Sequence, residues 1–131
     1  LVGSEMCIRD RGGSTLVIQA QSDLCEVRKM IHKIGFFIDK EKFCMDAGKP
    51  YLVMRAVRGE EKTPYEPAEY EYGRLLPEAG DAAYRSYLLD ERDKKMKLQE
   101  ILKMQKTSGA GARVEELTEE ITGLNWILNK F

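Results

Sequence analysis

The run at residues 50–57 constrains the fold more than any other stretch of the chain. It is rich in β-branched and apolar residues. Alternate residues lie on opposite faces of a strand, so one face carries Tyr51, Val53, Arg55 and Val57, and the other carries Leu52, Met54 and Ala56. A run that is mostly apolar on both faces indicates a strand inside a sheet that is covered on both sides. Turn residues at positions 46–49 come just before it, so this strand is predicted to run antiparallel to the strand that precedes it.

The stretch before this strand predicts a strand, a helix and a second strand. Residues 15–19 form a short β-branched run, which favours a strand. Asp23 and Glu26 have the spacing of a capping box, and Gly35 lies where a helix would end. The helix between them has one apolar stripe, formed by Leu24, Val27, Met30, Ile31 and Ile34. Residues 36–38 are strand-like, and a polar run follows them.

A parallel strand–helix–strand unit closed by an antiparallel strand resembles the end of the doubly wound sheet in class I S-adenosylmethionine-dependent methyltransferases. Three runs carry a closer resemblance, to the C-terminal half of bacterial tRNA adenine-22 N1-methyltransferases. They are TLVIQAQSDLCEVRKMIHKIGF, DKEKFCMDAGKPYLVMRAVRG and YEYGRLLPEAGDAAYRSYLLDE. The shared features are a strand ending in Gln19, a helix with the internal Arg28, the pair Arg58-Gly59 and the segment Tyr72-Gly73-Arg74-Leu75. Ala20 departs from the family pattern, which commonly has proline there.

The resemblance implies a longer enzyme that transfers a methyl group from S-adenosylmethionine to N1 of an adenine in tRNA. In that fold a glycine-rich turn after the first strand and an acidic residue after the second strand hold the donor. Neither Gly12-Gly13 nor Gly109-Ala110-Gly111 has that position, so we expect the cofactor-binding and catalytic residues upstream and this chain alone to be inactive. Ligands lie at the carboxyl ends of strands, which makes Gln19 and Gln21 the candidates to face the substrate. A polar turn is the simpler interpretation of each.

The first residues of the chain need separate treatment. The segment Met6-Cys7-Ile8-Arg9-Asp10-Arg11 resembles the translation of a transposon-end sequencing adapter, and such a tail is excluded from fold reasoning. The native chain is then expected to have been cut just upstream of Gly12. The predicted organisation is a non-native tail at 1–13, the end of the methyltransferase domain at 14–60, a connector at 61–80 and an arm at 81–131.

The arm is predicted to be an antiparallel helical hairpin of the coiled-coil type. Asp81 caps a first helix that extends to about residue 107, and residues 108–111 form the turn. The stripe of the first helix, polar in its middle, comprises Tyr84, Tyr87, Leu88, Glu91, Leu98, Ile101 and Leu102. The second helix, from about residue 112, has a heptad-like seam of Val114, Leu117, Ile121, Leu124, Leu128 and Phe131.

Charge is unequal along this arm, although the whole chain has a net charge of −1 and therefore no global basic field. The distal first helix carries the candidate tRNA-binding residues Lys94, Lys95, Lys97, Lys103 and Lys106. Ordinary solvated helix faces, with i,i+4 pairs such as Glu91–Lys95 and Asp90–Lys94, explain this pattern without RNA. Once the family resemblance is considered, contact with tRNA phosphates explains it about as well.

The cysteines and the single histidine give no metal or disulfide pattern. Cys7, Cys25 and Cys44 lack CxxC spacing, and His32 has no second histidine to complete a ligand set. We interpret the cysteines as free thiols of a cytoplasmic protein. No apolar run approaches the length of a membrane span, so neither a metal nor a membrane is expected.

Two alternatives remain beside the methyltransferase interpretation. One is a non-enzymatic interaction module, in which a small α/β unit presents a coiled-coil arm to a protein partner. The other is an unrelated enzyme with the same sheet ending. For the chain by itself, an unpaired edge at residues 15–19 and a sheet face without a covering helix also predict self-association.

Overall fold

The computed structural model describes residues 6–10 (backbone only), 15–105 and 107–131. The strands among these residues are β1 (Met6–Asp10), β2 (Thr15–Ala20), β3 (Phe36–Asp46) and β4 (Lys49–Arg58). The helices are α1 (Leu24–Lys33), α2 (Pro67–Tyr72), α3 (Leu75–Ala79), α4 (Ala82–Lys103) and α5 (Ser108–Leu128). The chain divides into two compact units, Leu1–Leu76 and Pro77–Phe131. The predicted connector at 61–80 contains the short helices α2 and α3, which the sequence pattern did not reveal.

The strands of the first unit form a sheet with the order β1-β2-β4-β3. β4 is antiparallel to β2, where Val53 lies opposite Gln19, and antiparallel to β3, where Val53 lies opposite Lys42. β2 and β3 are therefore parallel to each other, with α1 as the connection between them. This arrangement confirms the predicted antiparallel strand at the end of a parallel unit.

The β3–β4 hairpin differs from the prediction in the length of β3. The strand continues through the polar run as far as Asp46 and contains a bulge between Ile38 and Lys40. The bulge inserts one extra residue and so changes which side chains share a face. As a result Glu41, opposite Met54, lies on the same face as Ile38. Ala47 and Gly48 both have positive φ (50° and 77°), as a two-residue type I′ turn requires.

The core lies on one face of the sheet, beneath α1. Its buried members are Ile18, Ala20, Val27, Ile31, Phe36, Ile38, Met54 and Ala56. The other face of β4 carries Tyr51, Val53, Arg55 and Val57, which are only partly buried. Within the described residues, the prediction that β4 is covered on both sides is therefore correct for one face only.

The start of α1 does not use the predicted capping box. Asp23 adopts a left-handed conformation (φ 57°) and its side chain makes no capping hydrogen bond. The usual N-cap has an extended backbone that directs its side chain at the first-turn amides. Asp23 instead contributes its backbone carbonyl, which accepts a hydrogen bond from Val27 N at 3.0 Å. Gly35, with φ 86°, ends the helix region as predicted.

The edge of β2 is occupied, contrary to the prediction. β1 pairs antiparallel along it, with Ile8 opposite Ile18. A strand edge presents a row of unpaired backbone donors and acceptors, and an extended segment from anywhere in the chain can satisfy them. The non-native origin of residues 1–13 stays a prediction, and positions 1–5 and 11–14 lie outside the described residues.

The second unit contains α4 and α5 packed antiparallel. Lys95 on α4 pairs with Glu120 on α5 at 3.6 Å, whereas Tyr84, near the start of α4, contacts Phe131 just beyond the end of α5. The partners therefore run in opposite directions along the two helices, as a helical hairpin requires. The finer description as a coiled coil stays a prediction. α5 begins at Ser108, earlier than predicted, because the Thr107 hydroxyl accepts a hydrogen bond from an amide of the first turn.

The seam of the hairpin is only partly as predicted. Leu117 and Leu124 of α5 are fully buried. On α4, however, Leu98 is 40% exposed and Ile101 is 58% exposed. Gln99 is turned toward α5, where its amide nitrogen donates hydrogen bonds to Val114 O and Thr118 Oγ1. The polar side chain of Gln99 therefore takes part in the C-terminal half of the α4 seam.

Candidate functional site

The carboxyl end of β2 carries the predicted substrate-facing residues. Gln19 is exposed and lies on the opposite face from Ile18 and Ala20, which α1 covers. Gln21, one residue beyond the strand, is partly buried. The two side chains stand at the strand end where ligands bind in α/β sheets, and their contact with a substrate stays a prediction.

The turn from β2 into α1 does not fit S-adenosylmethionine. It consists of Gln21, Ser22 and Asp23, without a glycine that would let the backbone approach a ligand closely. Asp23 and Glu26 also place carboxylates at the start of the helix. The carboxylate of the donor would meet like charge there.

A fully buried ion pair links three elements of the first unit. The Arg28 side chain, on α1, and the Glu41 side chain, on β3, are both 0% exposed. Arg28 Nε donates to Glu41 Oε1 at 3.1 Å, and Arg28 Nη1 donates to the carbonyls of Tyr70 (2.8 Å) and Glu71 (3.0 Å) on α2. One guanidinium group therefore joins α1, β3 and the last turn of α2.

Gly73, which ends α2, passes directly over this ion pair. Its backbone has φ 90° and ψ 161°, a conformation essentially restricted to glycine. A Cβ atom at this position would lie 2.5 Å from Glu41 Oε2 and 3.0 Å from Arg28 Nη2. The close approach of the α2 terminus to the ion pair therefore depends on the absence of a side chain.

His32 forms a second cluster, one helical turn along α1 from Arg28. Its Nδ1 lies 2.8 Å from Tyr70 Oη and its Nε2 lies 3.3 Å from Glu61 Oε1. The His32 ring also packs edge-on against Tyr65, with 4.7 Å between ring centroids. Burial raises the pKa of the Tyr65 hydroxyl, and the nearby carboxylates of Glu41 and Glu61 raise it further. Tyr65 and Tyr70 thus hold the connector against the sheet unit.

Arg74 links three residues of the connector through its guanidinium group. It donates to both carboxylate oxygens of Glu69 (2.7 and 3.0 Å) and to the carbonyls of Thr63 and Pro64 (2.8 and 2.7 Å). Its guanidinium lies over the Tyr65 ring, 4.2 Å from the centroid. The hydrogen bonds that Arg74 donates to Glu69 raise its pKa above the ordinary value, so this group keeps its charge.

The candidate tRNA-binding lysines do not share one face of α4. Successive residues are rotated by about 100° around a helix, so positions 94, 95, 97 and 103 point in widely different directions. Lys94 pairs with Asp90 at 3.3 Å, as predicted, whereas Lys95 pairs with Glu120 instead of Glu91. Lys97 and Lys103 are exposed and have no ion-pair partner among the described residues. Lys106 lies outside the described residues.

Sequence reasoning missed the roles of Glu41, His32 and Arg74. The available signal was on α1, where Arg28 and His32 are four residues apart and so share the face that carries the buried Val27 and Ile31. Two polar side chains on a core-facing stripe need buried partners. Their partners come from β3 and the connector, and the placement of Glu41 depends on the bulge in β3.

Other site chemistries find no support in the part of the chain that the structure describes. No cluster of three His, Cys, Asp or Glu side chains could hold a metal ion there. Cys25 and Cys44 are free thiols, and burial is the main cause that raises the pKa of Cys25. None of the helices has both the length and the apolar character needed to cross a membrane, as far as the described residues extend.

Comparison with known proteins gives a family match and several solved structures with the same fold. An uncharacterized protein from Listeria monocytogenes serotype 4b superimposes with a TM-score of 0.81 at 18% identity, over 89% of this chain and 52% of that one. The B. subtilis M1A22 tRNA methyltransferase TrmK gives 0.74 at 18% identity, over 87% and 51%. TrmK from M. capricolum, in complex with the cofactor product S-adenosyl-homocysteine, gives 0.72 at 18% identity, over 89% and 50%.

The chain spans about half the length of these solved structures. No curated protein matches it. The family profile described as tRNA (adenine(22)-N(1))-methyltransferase matches residues 10–125, which is most of the sequence. The chain belongs to the tRNA (adenine(22)-N(1))-methyltransferase family.

Proposed function

We propose that this chain is the C-terminal part of a cytoplasmic enzyme that methylates N1 of an adenine in tRNA with S-adenosylmethionine as donor. The observation that carries the proposal is the family match over residues 10–125. The antiparallel β4 between the parallel strands β2 and β3 supports it, because class I methyltransferase sheets end in this way. A solved relative that holds S-adenosyl-homocysteine supports the choice of donor.

Methyl transfer to N1 depends mainly on how the adenine is positioned relative to the donor. Once the adenine is unpaired and turned out of its helix, its N1 is itself the nucleophile, so little acid–base assistance is needed. A glutamine amide can hold adenine through N6 and N7, which leaves N1 free to react. We assign this role to Gln19 or Gln21, the polar side chains at the end of β2. S-adenosylmethionine would supply the methyl group from a pocket that we expect residues upstream of this chain to form.

The helical hairpin contributes affinity for the tRNA backbone in this proposal. Lys97 and Lys103 are its best candidates, because the other described lysines of α4 are engaged in ion pairs. Spread ammonium groups suit phosphates, and binding then works by counterion release. We expect these lysines to add affinity without sequence discrimination.

Methyl transfer by the complete enzyme tests the proposal. We expect 1-methyladenosine in a tRNA transcript, detected by mass spectrometry, and no product when guanosine replaces the target adenosine. In calorimetry, the 131-residue chain alone should not bind S-adenosylmethionine. Micromolar donor binding by this chain would contradict the assignment of the donor pocket to residues outside it.

A salt titration tests the role of the hairpin in the complete enzyme. Replacing Lys97 and Lys103 by Gln should weaken tRNA binding. It should also make the slope of log affinity against log salt concentration shallower, by about 0.7–0.9 for each phosphate contact that is lost. The rate at saturating tRNA should hardly change. The control variant replaces Lys94 and Lys95 by Gln, and it should have a smaller effect because these lysines are paired with Asp90 and Glu120. Unchanged binding of the double variant across the titration would assign the hairpin a purely structural role.

A protein-binding module is the second candidate function. It is favoured by the exposed apolar side chains of Leu98 and Ile101 on α4 and of Met104 just beyond its end, the last of which is 86% exposed. If these residues bind a protein, replacing them with polar residues should leave tRNA affinity and methyl transfer unchanged. A loss of tRNA affinity in that variant would instead assign the apolar residues to the RNA interface.

A further inference from the structure

The buried Arg28–Glu41 pair leaves two of its polar atoms without hydrogen bonds to the described part of the chain. Arg28 Nη2 and Glu41 Oε2 are buried and have no hydrogen-bond partner among the described residues. Removing two charges from water is unfavourable, and their attraction compensates for this only with complete hydrogen bonding. The contact between Arg28 and Glu41 is therefore weak evidence for a stabilising role. The pair needs an explanation other than stability.

What the ion pair provides is a fixed geometry. A guanidinium is a rigid planar fork, so its donors address partners in set directions. Here Nε is directed at β3, and Nη1 is directed at two carbonyls in the last turn of α2. The final carbonyls of a helix have no partners within the helix, and a cation beside them is favoured by the helix dipole. Arg28 thus fixes where α2 ends.

The segment that α2 leads into is held on both sides of this point. Gly73 N donates to Glu69 O at 2.8 Å, and Gly73 has no room for a side chain above the ion pair. Arg74, the next residue, is held by Glu69 and by two carbonyls of the connector. Residues 70–74 lie near the end of the first unit, which extends to Leu76, and they directly precede α3. Any loosening at Arg28 is therefore expected to reach the point where the chain leaves the unit.

We propose that Arg28 is a positioning residue for tRNA: with Glu41 it holds the segment at residues 70–74, through which the chain enters the tRNA-binding hairpin. The inference rests on the proposed function. It predicts that loosening the pair raises the KM for tRNA at least five-fold in the complete enzyme. The dissociation constant for S-adenosylmethionine and the kcat at saturating tRNA should stay within two-fold of wild type.

Arg28→Lys and Glu41→Gln are the test variants, because each keeps the approximate volume of the side chain. Lys keeps the charge but lacks the fork, and Gln keeps the shape but lacks the charge. Lys29→Gln is the matched control, since Lys29 is the exposed neighbour on the same helix. A purely structural role would lower the fraction of active enzyme, and therefore kcat, without changing the KM for tRNA.

Hydrogen exchange supplies a readout that needs no activity. The Gly73 and Gly35 amides both donate hydrogen bonds to backbone carbonyls, so exchange at each can be compared. In the 131-residue chain, Arg28→Lys should accelerate exchange at the Gly73 amide, which ends α2, and leave exchange at the Gly35 amide unchanged. Unchanged exchange at Gly73, or faster exchange with an unchanged KM for tRNA, would overturn the inference while leaving the proposed function in place. A wild-type enzyme that does not methylate tRNA would overturn the proposed function, and the positioning role with it.

Discussion

Replacing Gly73 by alanine is the sharpest stability test of the site. The new Cβ would lie 2.5 Å from Glu41 Oε2, where ordinary van der Waals contact begins at 3.4 Å, so the ion pair or the α2 terminus must shift by nearly 1 Å. Overpacking of a buried site costs about 1–3 kcal/mol. The glycine-only backbone conformation adds about 1–3 kcal/mol. We expect the free energy of unfolding of the first unit to fall by about 2–6 kcal/mol.

Gly35→Ala is the matched control for backbone strain. Gly35 has φ 86°, close to the 90° of Gly73, but no atom lies within 4 Å of a Cβ placed there. Its replacement should cost only the strain of a left-handed conformation, about 1–2 kcal/mol. The excess cost of Gly73→Ala over Gly35→Ala therefore contains the collision with the ion pair together with the extra strain of the glycine-only backbone at Gly73.

The assay is urea unfolding of the 131-residue chain, followed with two probes. The near-ultraviolet circular dichroism of tyrosine responds to both units, because Tyr65 is buried in the first and Tyr84 in the second. The fluorescence of Trp126, the single tryptophan of the chain, responds to the hairpin alone. The part of the circular dichroism change that does not coincide with the tryptophan transition should move, and the tryptophan transition should not. If Gly73→Ala costs no more than Gly35→Ala, the backbone does not pass over the ion pair as described, and the reasoning about Arg28 fails with it.

Three further predictions concern single contacts. Leu117→Asp, which puts a charge into the fully buried seam of α5, should unfold the hairpin by circular dichroism, whereas Leu98→Asp should be tolerated because Leu98 is 40% exposed. The hydrogen bond from Arg55 lowers the pKa of Asp39, so its stabilisation is present above the ordinary aspartate pKa and is lost as the pH falls through the lowered value; the difference in unfolding free energy between wild type and Asp39→Asn should therefore shrink in acid. Arg74→Lys should increase protease cleavage in the connector, since lysine cannot reproduce the bonds to the Glu69 carboxylate and two carbonyls, and equal cleavage rates would contradict this.

The topology of the first unit could be predicted because it depends on local signals. The β-branched run at 15–19, the apolar stripe of α1 and the turn at Ala47-Gly48 each specify their element with little help from the rest of the chain. The turn alone makes β4 antiparallel to β3. The position of β4 between β2 and β3 followed from its two apolar faces, together with the family resemblance.

The polar interior of the unit could not be predicted, because it depends on register. Period-two alternation continued unbroken from Ile38 would place Lys40 on the covered face and Glu41 on the open one. The sequence alone gives no sign of the bulge that reverses this order. The lysines of α4 show a similar limit. The sequence gives their number, but it does not show that Lys95 pairs with Glu120 on the other helix.

The bulge in β3 connects the two polar pairs of the sheet. Asp39 is the extra residue, without a partner in the ladder, and its carboxylate accepts hydrogen bonds from Arg55 on the open face. The same insertion moves Glu41 to the covered face, where it meets the charge of Arg28. Without the bulge Arg28 would be a buried cation lacking its partner, a defect worth about 3–5 kcal/mol. Deleting Asp39 should therefore destabilise the first unit far more than Asp39→Asn, although both remove the same partly buried ion pair. Equal destabilisation by the two changes, measured by urea unfolding, would show that the bulge does not determine where Glu41 lies.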